Sequence, residues 1–308
     1  MKLISENLHI ISKSTKEAVL NRDEDYIKKL LERQILTNPD WIDLNIGPAK
    51  GAFAGSMEWL TNILQDMTDI PLSFDSTNTT EIAIGLSLAK KPDKCIINST
   101  SADYERLNNV TDLAAEYDCS LIGLTMNADQ GIPKEADSRL ELAFEITSIT
   151  ESKNITNDRV FFDPLVLPIC VEQTQAKETL NTIIMLKESF EPQVMTTIGL
   201  SNISNGCPRE IRPLINRVFF VLAYGCGLDS AIVDSFDSEL QRINKIIESN
   251  TPETNYDMAY LNIFNMMKNY QEIEDIDFDR KNIEQTQIIK TAKVLLNREI
   301  YSNSYLEI

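Results

Sequence analysis

Histidine, glycine and positive charge are all scarce in this 308-residue sequence, and each scarcity removes a class of function. A single histidine, His9, cannot supply the several ligands that a histidine-based zinc site needs at fixed spacing, and any Ser-His-Asp triad would have to use it. Ten glycines include no GxGxxG and no GxxxxGK[ST], so dinucleotide and P-loop phosphate binding have no support. Cys95, Cys119, Cys170, Cys207 and Cys226 are odd in number and scattered, with no CxxC pair. They read as reduced thiols, and no metal site is expected. Against 47 Asp+Glu there are only 29 Lys+Arg, a net charge of −18, which repels phosphate backbones and anionic lipid. Nucleic acid and membrane are therefore not expected partners. Long apolar runs are missing too, and the opening MKLISENLHIIS is broken by Glu6 and has no cleavage site, so the protein is expected to be cytoplasmic.

What is present is a 43% hydrophobic chain, enough for a sizeable core, in which short apolar runs alternate with stretches of helical period. Eight such runs occur, at 7–12, 41–46, 70–76, 95–100, 120–126, 160–167, 196–203 and 230–234. Helical spacing appears at 17–36 and 55–67, and later at 238–249, 257–270 and 284–297. Eight strands in even alternation with helices indicate an α/β fold, a closed (β/α)8 TIM barrel forming one domain over 1–308. An insertion at about 235–283 precedes the last helix. Its Met258, Ile263, Phe264 and Met267 read as packing residues, and its acidic run Glu272 to Asp279 as a solvated loop.

In this architecture the C-terminal ends of the strands face the active site. Asn45, Asp75, Asn98, Thr125, Asp163, Asn202 and Asp234 each follow or close an apolar run. Any one of them serves equally well as a turn or helix-cap residue. Taken together they suggest a pocket for a flat, polar, hydrogen-bond-rich small molecule, lined by amides and carboxylates with few cations.

The segments DLNIGPA (43–49), SMEWL (56–60), LSFDSTN (72–78), INSTSA (97–102), FDPLVLP (162–168), GLSNIS (199–204) and RPLINRVFF (212–220) stand at these strand ends. In order and spacing they resemble the methyltetrahydrofolate:corrinoid protein methyltransferases, pterin-binding (β/α)8 barrels related to dihydropteroate synthase. The resemblance covers about four-fifths of the chain. It implies an enzyme that passes the N5-methyl group between methyltetrahydrofolate and the cobalt of a corrinoid carried by a partner protein, for instance a corrinoid iron-sulfur protein. It also implies a homodimer. Asp75, Asn98 and Asp163 would hold the pterin ring, and Asn202 would contact N5 and assist transfer. Asn45, Asn205 and Arg212 complete the pterin-binding set, the last two as part of a network that relays a solvent proton.

The bottom-up chemistry agrees with these roles. A pterin edge presents a ring N–H beside an exocyclic amine, which a carboxylate accepts through two parallel bonds, and an amide can both donate and accept. N5 departs as a poor leaving group unless it gains a hydrogen bond or a proton. The sequence offers no strong nucleophile of its own, so one is expected to arrive on a cofactor. The family opens with a GERIN-like strand where this chain reads SENLHIIS, which leaves the contribution of the first strand open. Two rivals are a dihydropteroate synthase-like pterin enzyme, which needs cations and magnesium for pyrophosphate, and a non-catalytic folate-binding subunit.

Overall fold

The computed structural model describes residues 1–306. Eight parallel strands run β1 (Lys2–His9), β2 (Trp41–Asn45), β3 (Leu72–Asp75), β4 (Ile96–Thr100), β5 (Ser120–Leu124), β6 (Val160–Asp163), β7 (Met195–Thr196) and β8 (Ser230–Val233). Each is hydrogen-bonded to its neighbour in the order β7-β6-β5-β4-β3-β2-β1-β8. A bridge between Gly199 and Ile232 brings the two edges together, making a nearly closed barrel. No helix among the described residues is long and apolar enough to cross a membrane.

Around the barrel lie α1 (Lys13–Asn21), α2 (Glu24–Leu36), α3 (Ser56–Met67), α4 (Thr79–Leu88), α5 (Tyr104–Glu116), α6 (Ala136–Ser152), α7 (Thr174–Ser189) and α8 (Arg212–Gly225). After β8 come α9 (Ser238–Ser249), α10 (Asp257–Lys268) and α11 (Ile283–Leu295). The periodic stretch 17–36 is two helices rather than one. Arg22 adopts a left-handed φ of 52° that ends α1, and the Asp23 carboxylate accepts the Tyr26 N–H to start α2. Where an insertion was expected, α9, α10 and a 3-10 turn at Ile273–Asp275 precede α11. Ile263 is buried, and the Phe264 ring meets Tyr224 of α8 edge-on at 5.2 Å. Gly225 allows this approach, since a Cβ there would lie 2.6 Å from Met267 Cβ and 2.8 Å from the Phe264 carbonyl. Met258 is partly exposed.

Two strands differ from the sequence reading. The first spans Lys2–His9 rather than 7–12, and Ile10 to Ser12 turn away, with Ser12 capping α1. Its polar letters Ser5, Glu6 and Asn7 hid it, because a run of alternating environment has no continuous apolar signature. The seventh is only two residues long, where 196–203 was expected. Gly199 interrupts that run, and Leu200–Ser204 winds into a 3-10 turn instead.

Side chains alternate across each strand, so inward positions fall two residues apart. Ile4, Trp41, Ile96, Ile122 and Phe161 point inward and form a buried apolar plug, with Trp41 and Phe161 edge-on at 6.1 Å. Two residues further along four of these strands come Glu6, Asp43, Asn98 and Asp163. The floor of the site is this polar layer, resting directly on the plug.

Candidate functional site

A cavity of about 380 Å³ opens at the C-terminal ends of the strands, within the range of small-molecule pockets. Asn45, Asp75, Asn98, Asp163, Asn202 and Asn205 all line it. Arg212 does not. It opens α8, and its Nε donates to the Cys207 carbonyl at 2.7 Å, which ties down the loop between β7 and α8. Thr125 and Asp234 are likewise outside the lining: Thr125 is buried against the Asp163 carbonyl, and Asp234 accepts from Asn7 at 2.6 Å. A larger groove of about 790 Å³ lies away from the strand ends, between α8, α9, α10 and α11. Its one cation, Arg217, is already paired with Asp237 at 2.7 Å, so the chemistry concentrates in the smaller cavity.

The carboxylates are held by donors and desolvated. Asp43 Oδ1 accepts from Ser73 Oγ at 2.6 Å and from Asn98 Nδ2 at 3.2 Å. Burial outweighs both bonds and pushes its carboxyl up to about 6. Asp163 Oδ1 accepts the Leu165 N–H at 2.7 Å and is also pushed up to about 6 by burial. The Asn45 amide donates to Asp75 Oδ2, and burial, with the Asp43 charge, holds Asp75 well above its usual value. The Asn98 amide nitrogen is engaged with Asp43, leaving its carbonyl oxygen for a ligand donor.

Two arginines brace this wall from outside the cavity. Arg106 of α5 donates to the Ser99, Thr77 and Ser76 carbonyls at 3.0, 2.8 and 3.0 Å, clamping the loop after β3 to the end of β4. Arg139 of α6, fully buried, donates to the Pro133 and Pro164 carbonyls at 2.8 and 3.0 Å and fixes the turn after Asp163. Their donors are spent on backbone oxygens and, for Arg139, also on Gln175 and Thr179, and no lysine or arginine lines the cavity among the described residues.

The 3-10 turn Leu200–Ser204 carries Asn202 over the opening. Asn205 Nδ2 donates to Asn202 Oδ1 at 3.2 Å, which fixes the Asn202 amide with its nitrogen beside Gly199, another lining residue. Gly199 makes room beneath, since a Cβ there would lie 2.9 Å from Asn202 Nδ2.

Four lining residues with polar side chains stand outside the sequence-derived set: Glu6, His9, Asp43 and Ser201. Burial pushes the Glu6 carboxyl up to about 7; Ser201 Oγ, donating at 3.2 Å, opposes this, and Asp234 and Asp43 add to it. His9 is a half-buried lining residue. Its Nδ1 accepts the Ser12 N–H at 3.3 Å, and burial lowers its pKa, so the ring is neutral with the proton on Nε2. Glu6 and Asp43 were readable from alternation, each lying two residues beyond an inward Ile4 or Trp41. Among the described residues no cluster of His, Cys, Asp and Glu could hold a metal ion.

No family model matches the chain. It is similar to a methylcorrinoid:tetrahydrofolate methyltransferase. That protein, from Eubacterium limosum, is 28% identical over 235 residues, 76% of this chain and 85% of its own length. Methionine synthase from Mycobacterium leprae is 28% identical over 247 residues, 77% of this chain but 20% of that longer protein. Among solved structures, dihydropteroate synthase from Clostridium difficile aligns over 82% of this chain and 97% of its own, with TM-score 0.60 and 15% identity. The Xanthomonas albilineans dihydropteroate synthase aligns over 82% and 94%, with TM-score 0.56 and 16% identity. The barrel is thus that of the dihydropteroate synthases, and the sequence resemblance is to the corrinoid methyltransferases.

Proposed function

We propose that the cavity binds the pterin ring of tetrahydrofolate and that the protein moves the N5-methyl group between this folate and the cobalt of a corrinoid carried by a partner protein. The observation that carries the reading is a buried wall of acids and amides, with no lining cation, in a chain similar to a methylcorrinoid:tetrahydrofolate methyltransferase. A pterin edge is rich in N–H donors, and Asp75, Asp163 and the Asn98 carbonyl are acceptors braced to receive them. Asn45 and Asn205 act one step back. Each donates to a residue that meets the ligand and so fixes its orientation.

Asn202 donates to N5, and the bond strengthens as negative charge develops on the departing nitrogen. The rest of the acceleration comes from alignment, since a methyl group held at the mouth needs only an incoming metal along its axis. Cobalt brought by the partner supplies the nucleophile or the leaving group, depending on direction. A dihydropteroate synthase reaction fits less well, because its pyrophosphate wants cations where this cavity presents carboxylates.

Calorimetric titration with tetrahydrofolate tests the binding step. Wild type is expected to bind, and Asp75→Ala to weaken affinity by about 10- to 100-fold, the loss of one charge-assisted bidentate contact. Unchanged affinity in the variant would place the pterin elsewhere.

A further inference from the structure

The cavity has two halves. Asp75, Asn98 and Asp163 stand on β3, β4 and β6, while Ser201 and Asn202 follow β7, and Glu6 and His9 stand on β1. In the sheet only β8 separates β1 from the β7 edge, so Glu6 and the Ser201–Asn202 turn flank the same strand. With the ring gripped by the first half and Asn202 on N5, the second half is the one beside N5. Methyl departure leaves an electron pair on N5 that must take up a proton, and a primary amide is no Brønsted donor.

We propose that Glu6 is the catalytic acid that delivers this proton to N5, an inference that rests on the methyltransferase reading above. In the forward step the N5–carbon bond breaks with its pair left on nitrogen. The carbon–cobalt bond forms from the pair on cobalt(I), and the Glu6 O–H proton passes to N5. The products are tetrahydrofolate with an N5–H, methylcobalt(III) and the Glu6 carboxylate. In reverse, that carboxylate takes the N5 proton as the nitrogen attacks the methyl group.

Hydrogen bonding and place separate Glu6 from its neighbours. Asp43 accepts two side-chain donors and Asp163 a backbone N–H, bonds that favour the ionised forms, while Asp75, which like Glu6 accepts one side-chain donor, stands in the half that grips the ring. Glu6 accepts one bond, at Oε2, from a hydroxyl that rotates, which leaves Oε1 for a ligand. The groups around it are Asp43 of β2, Asp234 after β8, Ser201 after β7 and neutral His9 on its own strand, with no cation among them. Burial and these charges push its carboxyl up to about 7, so a large fraction carries a proton at neutral pH. The Arg212 relay expected from the sequence is unnecessary, because that side chain is engaged with Cys207.

Single-turnover transfer from methyltetrahydrofolate to cob(I)alamin, followed in the visible spectrum across about pH 5.5 to 8.5, tests this. The wild-type rate is expected to fall above about pH 7, where the acid loses its proton. Glu6→Gln is expected to lower the single-turnover rate constant by about 100-fold or more, with the folate concentration for half-maximal rate within about threefold, and to flatten the profile. Glu6→Asp keeps an inflection and recovers part of the rate. Ser201→Ala, which removes the bond that favours ionised Glu6, moves the inflection to higher pH. A Glu6→Gln rate near wild type with the inflection intact overturns the proposal and leaves the methyltransferase reading standing. A wild-type protein that binds the folate but transfers nothing overturns both.

Discussion

Glu6, Asp43, Asp75 and Asp163 share one cavity, and each holds its proton more tightly than in water, chiefly through burial. A carboxyl whose folded pKa is raised binds protons better folded than unfolded. Its contribution to stability is therefore complete below the ordinary value near 4 and is lost as pH rises through the folded value. For this set the loss runs from about pH 4 through about 6 for Asp43 and Asp163 and about 7 for Glu6. The ligand-free protein is expected to melt at lower temperature at pH 8 than at pH 5.5. Glu6→Gln, neutral throughout, is expected to stabilise the fold at pH 8 by at most about 3 kcal/mol, seen as a higher melting temperature there, and to do little near pH 5. Thermal melts at the two pH values decide it; an equal gain at both would show that the Glu6 carboxyl is not held above its ordinary value in the fold. Acids that cost stability when empty are what a site for a donor-rich ligand requires.

At the scale of elements, the short β7 and the turn after it decide where Asn202 sits. A full strand over 196–203 would have pointed successive side chains to alternate faces. Breaking off at Thr196 and winding Leu200–Ser204 places Ser201 and Asn202 together at the cavity mouth. Gly199→Ala would put a Cβ 2.9 Å from Asn202 Nδ2 and displace that amide without touching the core. The variant is expected to melt near wild type, yet lower kcat by about 10- to 100-fold, in the direction of Asn202→Ala, where one lost donor costs about 3 kcal/mol. Full turnover in both variants would remove Asn202 from the chemistry.

The same elements show what was legible beforehand. Runs such as CIINST and VFFDPLVL announced β4 and β6 with Asn98 and Asp163 at their ends, because strands buried on both faces are continuously apolar until the mouth. The first strand was misplaced because a half-buried Glu6 reads as a surface residue unless its partners are known, and Ser201 lies far away in the chain. Asp43 was masked by its neighbour Asn45, although both share the inward face with Trp41. Arg212 went astray for the opposite reason: a cation near a polar turn looks like a ligand contact, and its carbonyl partner Cys207 is set by the three-dimensional loop.

At the scale of the whole molecule, the barrel collects every strand-end loop at one rim, so in the proposed reaction folate and corrinoid meet at a single mouth. The apolar plug of Ile4, Trp41, Ile96, Ile122 and Phe161 closes the barrel interior below it. The proposed reaction on this rim has the methyl group presented outward, with N5 near Asn202, to a metal approaching from outside the barrel. The most direct test is to mix the purified protein with methyltetrahydrofolate and cob(I)alamin under reducing conditions and record the visible spectrum. The account predicts that the cobalt(I) band decays as methylcobalt(III) appears, dependent on both protein and folate. A cobalt(I) spectrum unchanged by protein that demonstrably binds the folate would contradict it.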